Sequence, residues 1–171
     1  TSLPGAAACI TALTLSGLPT RRFAFEAFLP SDKKERQAVL AELVDETRTI
    51  ILYEAPHRLL KTLNELLEVL GNRKMTLCRE LTKKHETAFV STIEDILKFY
   101  ETQEPKGECV LVIEGKSRQE LVKEARSRWE EMTVEEHMEV YLSKGMDKKE
   151  AMKAVAKDRG VSKRDIYQVL L

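Results

Sequence analysis

Four stretches of the sequence combine residue types that can do chemistry. The first is Tyr53-Glu54-Ala55-Pro56-His57-Arg58. It follows an apolar run at residues 49–53 of central-strand length and precedes a helical pattern, with Pro56 suited to a first helical turn. Ligands in α/β folds gather at the carboxyl ends of strands. Unpaired N–H groups at a helix start attract anions, and His57 and Arg58 add donors there. The same residues can equally form an ordinary strand-to-helix turn with Glu54 paired to a nearby base.

The second stretch, Arg79-Glu80-Leu81-Thr82-Lys83-Lys84-His85-Glu86, lies between two expected strands. Arg suits bidentate phosphate contact and Lys supplies a point charge. A solvated hairpin connection is the simpler alternative on the residues alone. The third, Leu3-Pro4-Gly5-Ala6-Ala7-Ala8, places a glycine and small residues at a helix start, where a backbone can approach a ligand closely. Close helix packing explains the alanines equally well, and neither a dinucleotide fingerprint nor a P-loop is present. The fourth is a helix-turn-helix-like spacing of Ala156, Gly160, Ile166 and Val169. Gly160 supplies a left-handed turn, Ile166 and Val169 pack inward, and Ser162 caps the last helix with Asp165 three residues on. Lys163, Arg164 and Gln168 then lie on or near its outer face. From Asp147 onward seven Lys or Arg stand against four Asp or Glu, a local excess that suits a phosphate backbone. A helical mini-domain used only for packing has the same pattern.

The elements that must position these residues read as follows. Residues 6–16 predict a buried helix stopping at Gly17, and residues 23–28 a strand. Ser31 predicts the cap of a helix over 32–45, with Val39, Leu40, Leu43 and Val44 as its apolar stripe. Leu59, Leu60, Leu63, Leu66, Leu67 and Leu70 mark the clearest amphipathic helix. Strands follow at 74–80 and 86–90. Ser91-Thr92-Ile93-Glu94 reads as a capping box opening a helix through Tyr100. Pro105-Lys106-Gly107 turns the chain into a buried strand at 109–113. Strands and helices mix up to about residue 115, and strand character then gives way to Lys, Arg and Glu. The expected organisation is an α/β domain with a mixed sheet and flanking helices at 1–115, a helical connector at 116–132, and a small all-α helix-turn-helix-like tail at 133–171.

Composition narrows the field. With 171 residues, 43% hydrophobic and 33% charged, the chain buries a core without metal or disulfide staples. No apolar run spans a bilayer and no signal-peptide pattern is present, so a cytoplasmic, non-membrane protein is expected. Cys9, Cys78 and Cys109 sit in apolar runs without metal-ligand spacing and read as reduced, buried thiols. No metal site is expected. The formal net charge is zero, so a nucleic-acid partner must rest on local patches. The chain opens at Thr1 directly on a motif, which reads as a fragment of a longer protein.

Taken in order, Leu3-Pro4-Gly5-Ala6, Ser16-Gly17-Leu18-Pro19, Phe28-Leu29-Pro30, Tyr53-Glu54-Ala55-Pro56-His57-Arg58, Arg79-Glu80-Leu81-Thr82-Lys83 with His85-Glu86, and Gly107-Glu108 before Val110-Leu111-Val112 resemble the carboxyl-terminal portion of one family. It is the tetrapyrrole methylase superfamily, in the branch that methylates a cytidine ribose 2′-oxygen in small-subunit (16S) ribosomal RNA. The resemblance covers the whole chain. It implies a second α/β lobe of a two-lobed enzyme with S-adenosylmethionine held in the cleft. The first lobe's Ala-Thr-Pro-Ile-Gly-Asn-Leu and Asp-Ala-Gly-Thr-Pro segments are absent, which implies that the chain alone is inactive. By resemblance, Pro4, Gly5, Ala6, Tyr53, Glu54, Ala55, Gly107, Glu108 and Cys109 contribute to the cofactor pocket. Arg58, Arg79, Lys83 and His85, with Lys163 and Arg164 of the tail, are the candidates for RNA contact. No general base is assigned. The implied partners are small-subunit rRNA or the 30S subunit and a second copy in a homodimer. A small tetrapyrrole or corrin methyltransferase, and a non-catalytic nucleic-acid-binding or dimerisation module, remain the alternatives.

Overall fold

The computed structural model describes residues 5–171, apart from the side chains of Ala125, Arg128 and Glu130. Pro4 therefore lies outside the described residues. The chain divides into two compact units, Thr1–Lys116 and Ser117–Leu171.

The first unit is built on a five-stranded mixed sheet. Its strands are β1 (Phe23–Phe28), β2 (Thr49–Glu54), β3 (Lys74–Arg79), β4 (Thr87–Thr92) and β5 (Cys109–Ile113), in the order β1-β2-β5-β3-β4. Only β1 and β2 run parallel, and β5 is antiparallel to both of its neighbours. The all-apolar sequence of β5 follows from its place in the middle, buried on both faces. Alternation along the strands sends Ile50, Leu52, Met75, Leu77, Leu111 and Ile113 to one face. There they meet α2 (Lys33–Leu43), α3 (Leu59–Leu70) and α4 (Ile93–Glu101). The leucine stripe of α3 is the centre of this core, with Leu59, Leu63 and Leu66 fully buried. The other face holds Ile51, Cys78, Val110 and Val112 under α1 (Ala8–Leu15).

Three local expectations are corrected. Asp32, not Ser31, caps α2, because its Oδ1 accepts from the amides of Lys34 and Glu35 at 2.9 and 3.0 Å. The cap of α4 is Thr92, whose hydroxyl accepts from the Asp95 amide at 3.3 Å; the cap falls one residue later than Ser91, because β4 runs through Thr92, and it is a single side-chain cap without the reciprocal bond of a box. The helix α1 is not buried all round. Ala12 and Leu13 pack on the sheet, while Ile10 and Leu15 stay 45% and 43% exposed.

The second unit contains α5 (Arg118–Glu130), α6 (Val134–Leu142), α7 (Lys148–Arg159) and α8 (Lys163–Val169). Reciprocal capping boxes at Ser117/Glu120, Thr133/Glu136 and Ser162/Asp165 start three of them. Its core is Met138, Ala151, Met152, Val155, Ala156 and Ile166. Gly160 ends α7 at φ +67°, and a Cβ there would stand 2.6 Å from the Arg126 guanidinium. Ile166 packs inward as expected. Val169 does not: it is 56% exposed, and Leu170 one position later packs against the core instead. No helix among the described residues is long and apolar enough to cross a membrane.

Candidate functional site

The sheet gathers most of the chemistry-bearing residues at one end. Antiparallel pairing puts the last residues of β2 and β3 beside the first residue of β5: Glu54 faces Cys109, and Cys109 faces Arg79. This row points to the α3 and α4 side, whereas Tyr53 points to the α1 side.

On the α1 side, the Tyr53 hydroxyl accepts a 3.1 Å hydrogen bond from the Cys9 amide. Ala7, the residue capping α1, makes no side-chain cap, so Tyr53 binds one of the amides left over at the helix start. Gly5 and Ala6 lead into this turn and are exposed, and nothing stands within 4 Å of a Cβ built on Gly5. The rings of Phe25 and Phe28 lie edge-on to Tyr53, with centroids 5.0 and 5.6 Å away. Residues three apart on a regular strand face opposite sides. Here a bulge between Phe25 and Ala27, with Ala27 at φ +52°, inserts one extra residue and brings both rings to the same side. Burial, with the neighbouring Cys9, holds the Tyr53 phenol above its ordinary value, so it stays protonated at neutral pH.

On the α3 side, Glu54 is only 2% exposed. Its Oε1 accepts from the Ala55 amide at 2.9 Å and its Oε2 from the Thr62 hydroxyl at 2.5 Å. Thr62 in turn accepts from Arg36 Nη2 at 2.7 Å, and Arg36 Nε donates to Glu65 at 2.6 Å. Arg58 Nε stands 3.5 Å from Glu54, and its Nη2 donates to the Leu29 carbonyl at 3.1 Å. The Glu54 carboxylate and the Arg58 guanidinium are thus engaged within the fold. What this strand end offers a ligand is its backbone and the Tyr53 ring. Buried charges tolerate this setting only because each is paired and hydrogen-bonded.

At the start of β5, Gly107 sits at φ +80°, and a Cβ there would meet the Glu80 side chain at 2.4 Å. Glu80 Oε1 accepts from the Glu108 amide at 3.1 Å and from Lys83 Nζ at 3.2 Å, and Lys83 also reaches Glu108 Oε2 at 3.0 Å. Lys83 is thereby committed to two carboxylates. Arg79, His85 and Lys106 make no ion pair or side-chain hydrogen bond among the described residues. Together with Glu80 and Gly107 they line a surface pocket of about 330 Å³. Arg79 Nε is buried without an acceptor, a state that costs about 1–3 kcal/mol. The Cys109 thiol, buried beside it, is pushed up to about 11, as is Cys78, which makes both inert at neutral pH. All three cysteines are free; Cys9 is half-buried rather than buried.

His57 is exposed, and Lys163 and Arg164 are exposed on α8 in the second unit. No cluster of metal-ligating side chains occurs among the described residues. Three further groups take part in these networks or line the pocket without belonging to any of the four sequence stretches. Arg36 and Thr62 lie on the same stripes as Leu40 and Leu63, a signal that a polar pair was being buried. Lys106 stands in the sequence only as part of the Pro105-Lys106-Gly107 turn.

The family described as tetrapyrrole (corrin/porphyrin) methylases matches residues 1–97. The ribosomal RNA small subunit methyltransferase I of Halalkalibacterium halodurans is 45% identical over 167 residues, 98% of this chain and 57% of its own length. The protein of that name from Bacillus subtilis is 45% identical over 165 residues, 96% of this chain and 56% of its own. The chain therefore spans a little over half the length of the curated relatives it matches. Among solved structures, a cobalt precorrin-4 methyltransferase of cobalamin biosynthesis aligns over 64% of this chain and 50% of its own, at 17% identity and a TM-score of 0.49.

Proposed function

The chain belongs to the tetrapyrrole methylase family, and from that premise we propose that it is the second lobe and helical tail of an S-adenosylmethionine-dependent methyltransferase. The substrate is the ribose 2′-oxygen of a cytidine in small-subunit (16S) ribosomal RNA. One observation carries this reading. The family match ends at residue 97, yet identity to relatives named for ribosomal RNA methylation continues through 98% of the chain, helical unit included. A tetrapyrrole substrate gives no role to that unit or to the cations around Arg79.

The site suits the cofactor. An uncapped helix start open at Gly5, an aromatic wall of Tyr53, Phe25 and Phe28, and the backbone of residues 107–109 match a nucleoside bearing a carboxylate. S-adenosylmethionine would supply an electrophilic methyl group on a cationic sulfur. This chain's residues would bind and orient: Gly5 and Ala6 by close backbone approach, Tyr53 and Ala55 at the strand end, Gly107 to Cys109 opposite. Catalysis of this kind works through alignment of the attacking hydroxyl and exclusion of water. Glu54 does not serve as general base, because its carboxylate is already held by Thr62 and Arg58. The remaining pocket wall belongs to the part of the relatives' length that this chain does not span, so these residues alone bind cofactor weakly and do not turn over. A cytoplasmic homodimer acting on the 30S subunit completes the reading. Calorimetric titration with S-adenosylmethionine tests it: weak binding that disappears in Tyr53→Ala supports the assignment. Tight binding untouched by that change contradicts it.

A further inference from the structure

We propose that Arg79, His85 and Lys106 form a seat for one backbone phosphate of the RNA substrate. This deepens the reading given under Proposed function and rests on it.

The basic run at residues 79–86 does not act as a whole. Lys83, the cation most central to it in sequence, is neutralised by Glu80 and Glu108 at 3.2 and 3.0 Å. That triangle has a second effect. It pairs both nearby carboxylates, of which Glu80 itself lines the pocket, with one ammonium. Glu86, the remaining acid of the run, accepts from the Thr82 amide at 2.5 Å. The other side chains lining the pocket are Arg79 from the end of β3, His85 from the β3–β4 turn and Lys106 from the turn before β5. Three cationic or donor side chains from three separate chain segments thus converge on about 330 Å³, and no acceptor engages them among the described residues.

Arg79 makes the case more than a solvated charge cluster. Its Nε is buried and has no hydrogen-bond partner. Burying a guanidinium N–H without an acceptor is unfavourable, and a bound anion that supplies the acceptor is one way in which such a group is satisfied. The planar donor fork of Arg matches the oxygens of a phosphodiester, while Lys106 adds a point charge and the His85 imidazole a further donor. Gly107 also lines the pocket, and a side chain at that position would collide with Glu80 at 2.4 Å and disturb its pairing with Lys83. The turn carrying these groups is itself held in unusual backbone, with Glu80 at φ +52° and Thr82 at φ +63°. The seat lies at the same end of the sheet as Tyr53 and Gly107 to Cys109. An RNA strand anchored there runs beside the cofactor-facing strand ends.

The test is fluorescence anisotropy of the 171-residue chain with a short single-stranded RNA over a series of salt concentrations. The variants are Lys106→Ala, Arg79→Gln and Lys98→Ala, each checked by thermal melting. Lys106→Ala, an exposed position, is expected to weaken binding by roughly threefold to tenfold and to lower the slope of log K against log salt by about one. Arg79→Gln is expected to weaken it at least as much. Lys98→Ala, at a cation paired with Glu94 on α4 and outside the pocket lining, is expected to change neither quantity beyond twofold. Titration of the same variants with S-adenosylmethionine is expected to match the parent chain. If RNA binds the parent chain but Lys106→Ala and Arg79→Gln leave affinity and slope unchanged, the seat is wrong and the wider reading survives. If those variants lose cofactor affinity instead, the pocket holds the cofactor's carboxylate and the proposal falls. If the parent chain binds no RNA at low salt, both readings fall together.

Discussion

The Tyr53 hydroxyl accepts the Cys9 amide at 3.1 Å across 44 positions of sequence, so the end of β2 holds the first turn of α1. The first turn of α1 and the motif at residues 53–58 therefore meet through one phenol. Replacing Tyr53 by Phe keeps the ring against Phe25 and Phe28 and removes only the acceptor. The expected loss is about 1 kcal/mol in urea unfolding, with a several-fold weaker response to S-adenosylmethionine in calorimetry.

Glu54 is expected to behave as a structural anchor. In Glu54→Ala, Arg36 keeps Glu65 but faces an empty, buried site, and Thr62 loses its acceptor. A cost of about 3–5 kcal/mol is expected from breaking a buried charge network. Glu54→Gln, which preserves shape, should cost about half as much. Denaturant melts of the two variants check the order. Equal, small losses would mean the network contributes little.

Gly107→Ala combines two penalties, a residue at φ +80° and a side chain driven into Glu80. We expect about 1–2 kcal/mol of destabilisation. Lys83 should also be released from Glu80, visible as a shift of its side-chain ammonium resonances in NMR spectra.

Acid should loosen the helical unit before the α/β unit. His137 is fully buried, with its ring stacked 3.9 Å from Trp129. Its Nδ1 accepts from Arg159 Nε at 3.2 Å, and its Nε2 lies 3.3 Å from Asp158 without the alignment of a hydrogen bond. Burial first, then the charge of Arg159, holds it below the ordinary value of 6.5, while Asp158 pulls the other way. The unfolded chain then binds the proton at a higher pH than the folded chain. Stability is full above about 6.5 and falls as pH drops from there toward the folded value. In the first unit, Glu46 is held down at about 2 by Arg48, so its contribution is present above the ordinary carboxylate value of 4.5 and is lost only between there and about 2. Tryptophan fluorescence of Trp129 followed from pH 7 to 5 should report the first transition, and His137→Gln should flatten it.

Much of this was legible in the sequence where one physical signal dominated. The leucine stripe of α3, the apolar run of β5 and the Ser162/Asp165 cap of α8 stand where spacing put them. The exposed Ile10 and Leu15 show the converse: an apolar run reads as buried whatever it packs against. The offsets at Asp32, Thr92 and Leu170 are all of one residue, the scale on which neighbouring polar or apolar groups compete for the same cap or core position. The site was legible as motifs, but its wiring was not. Nothing local in the sequence says that Lys83 spends its charge on Glu80 and Glu108, or that Lys106 rather than Lys83 faces the pocket with Arg79. Those facts depend on strand register, which pairs residues far apart in the chain.

The central claim is methyl transfer to an rRNA ribose by a lobe that needs a second part. The direct measurement is nucleoside mass spectrometry of 16S rRNA after incubating unmodified 30S subunits with S-adenosylmethionine and one of two proteins. One is this chain alone; the other is this chain joined to the amino-terminal segment of its Halalkalibacterium relative, with that relative as positive control. The account predicts 2′-O-methylcytidine with the joined protein and none with the chain alone. Methylation of a base, methylation by the chain alone, or no methylation by a folded, cofactor-binding joined protein would contradict it.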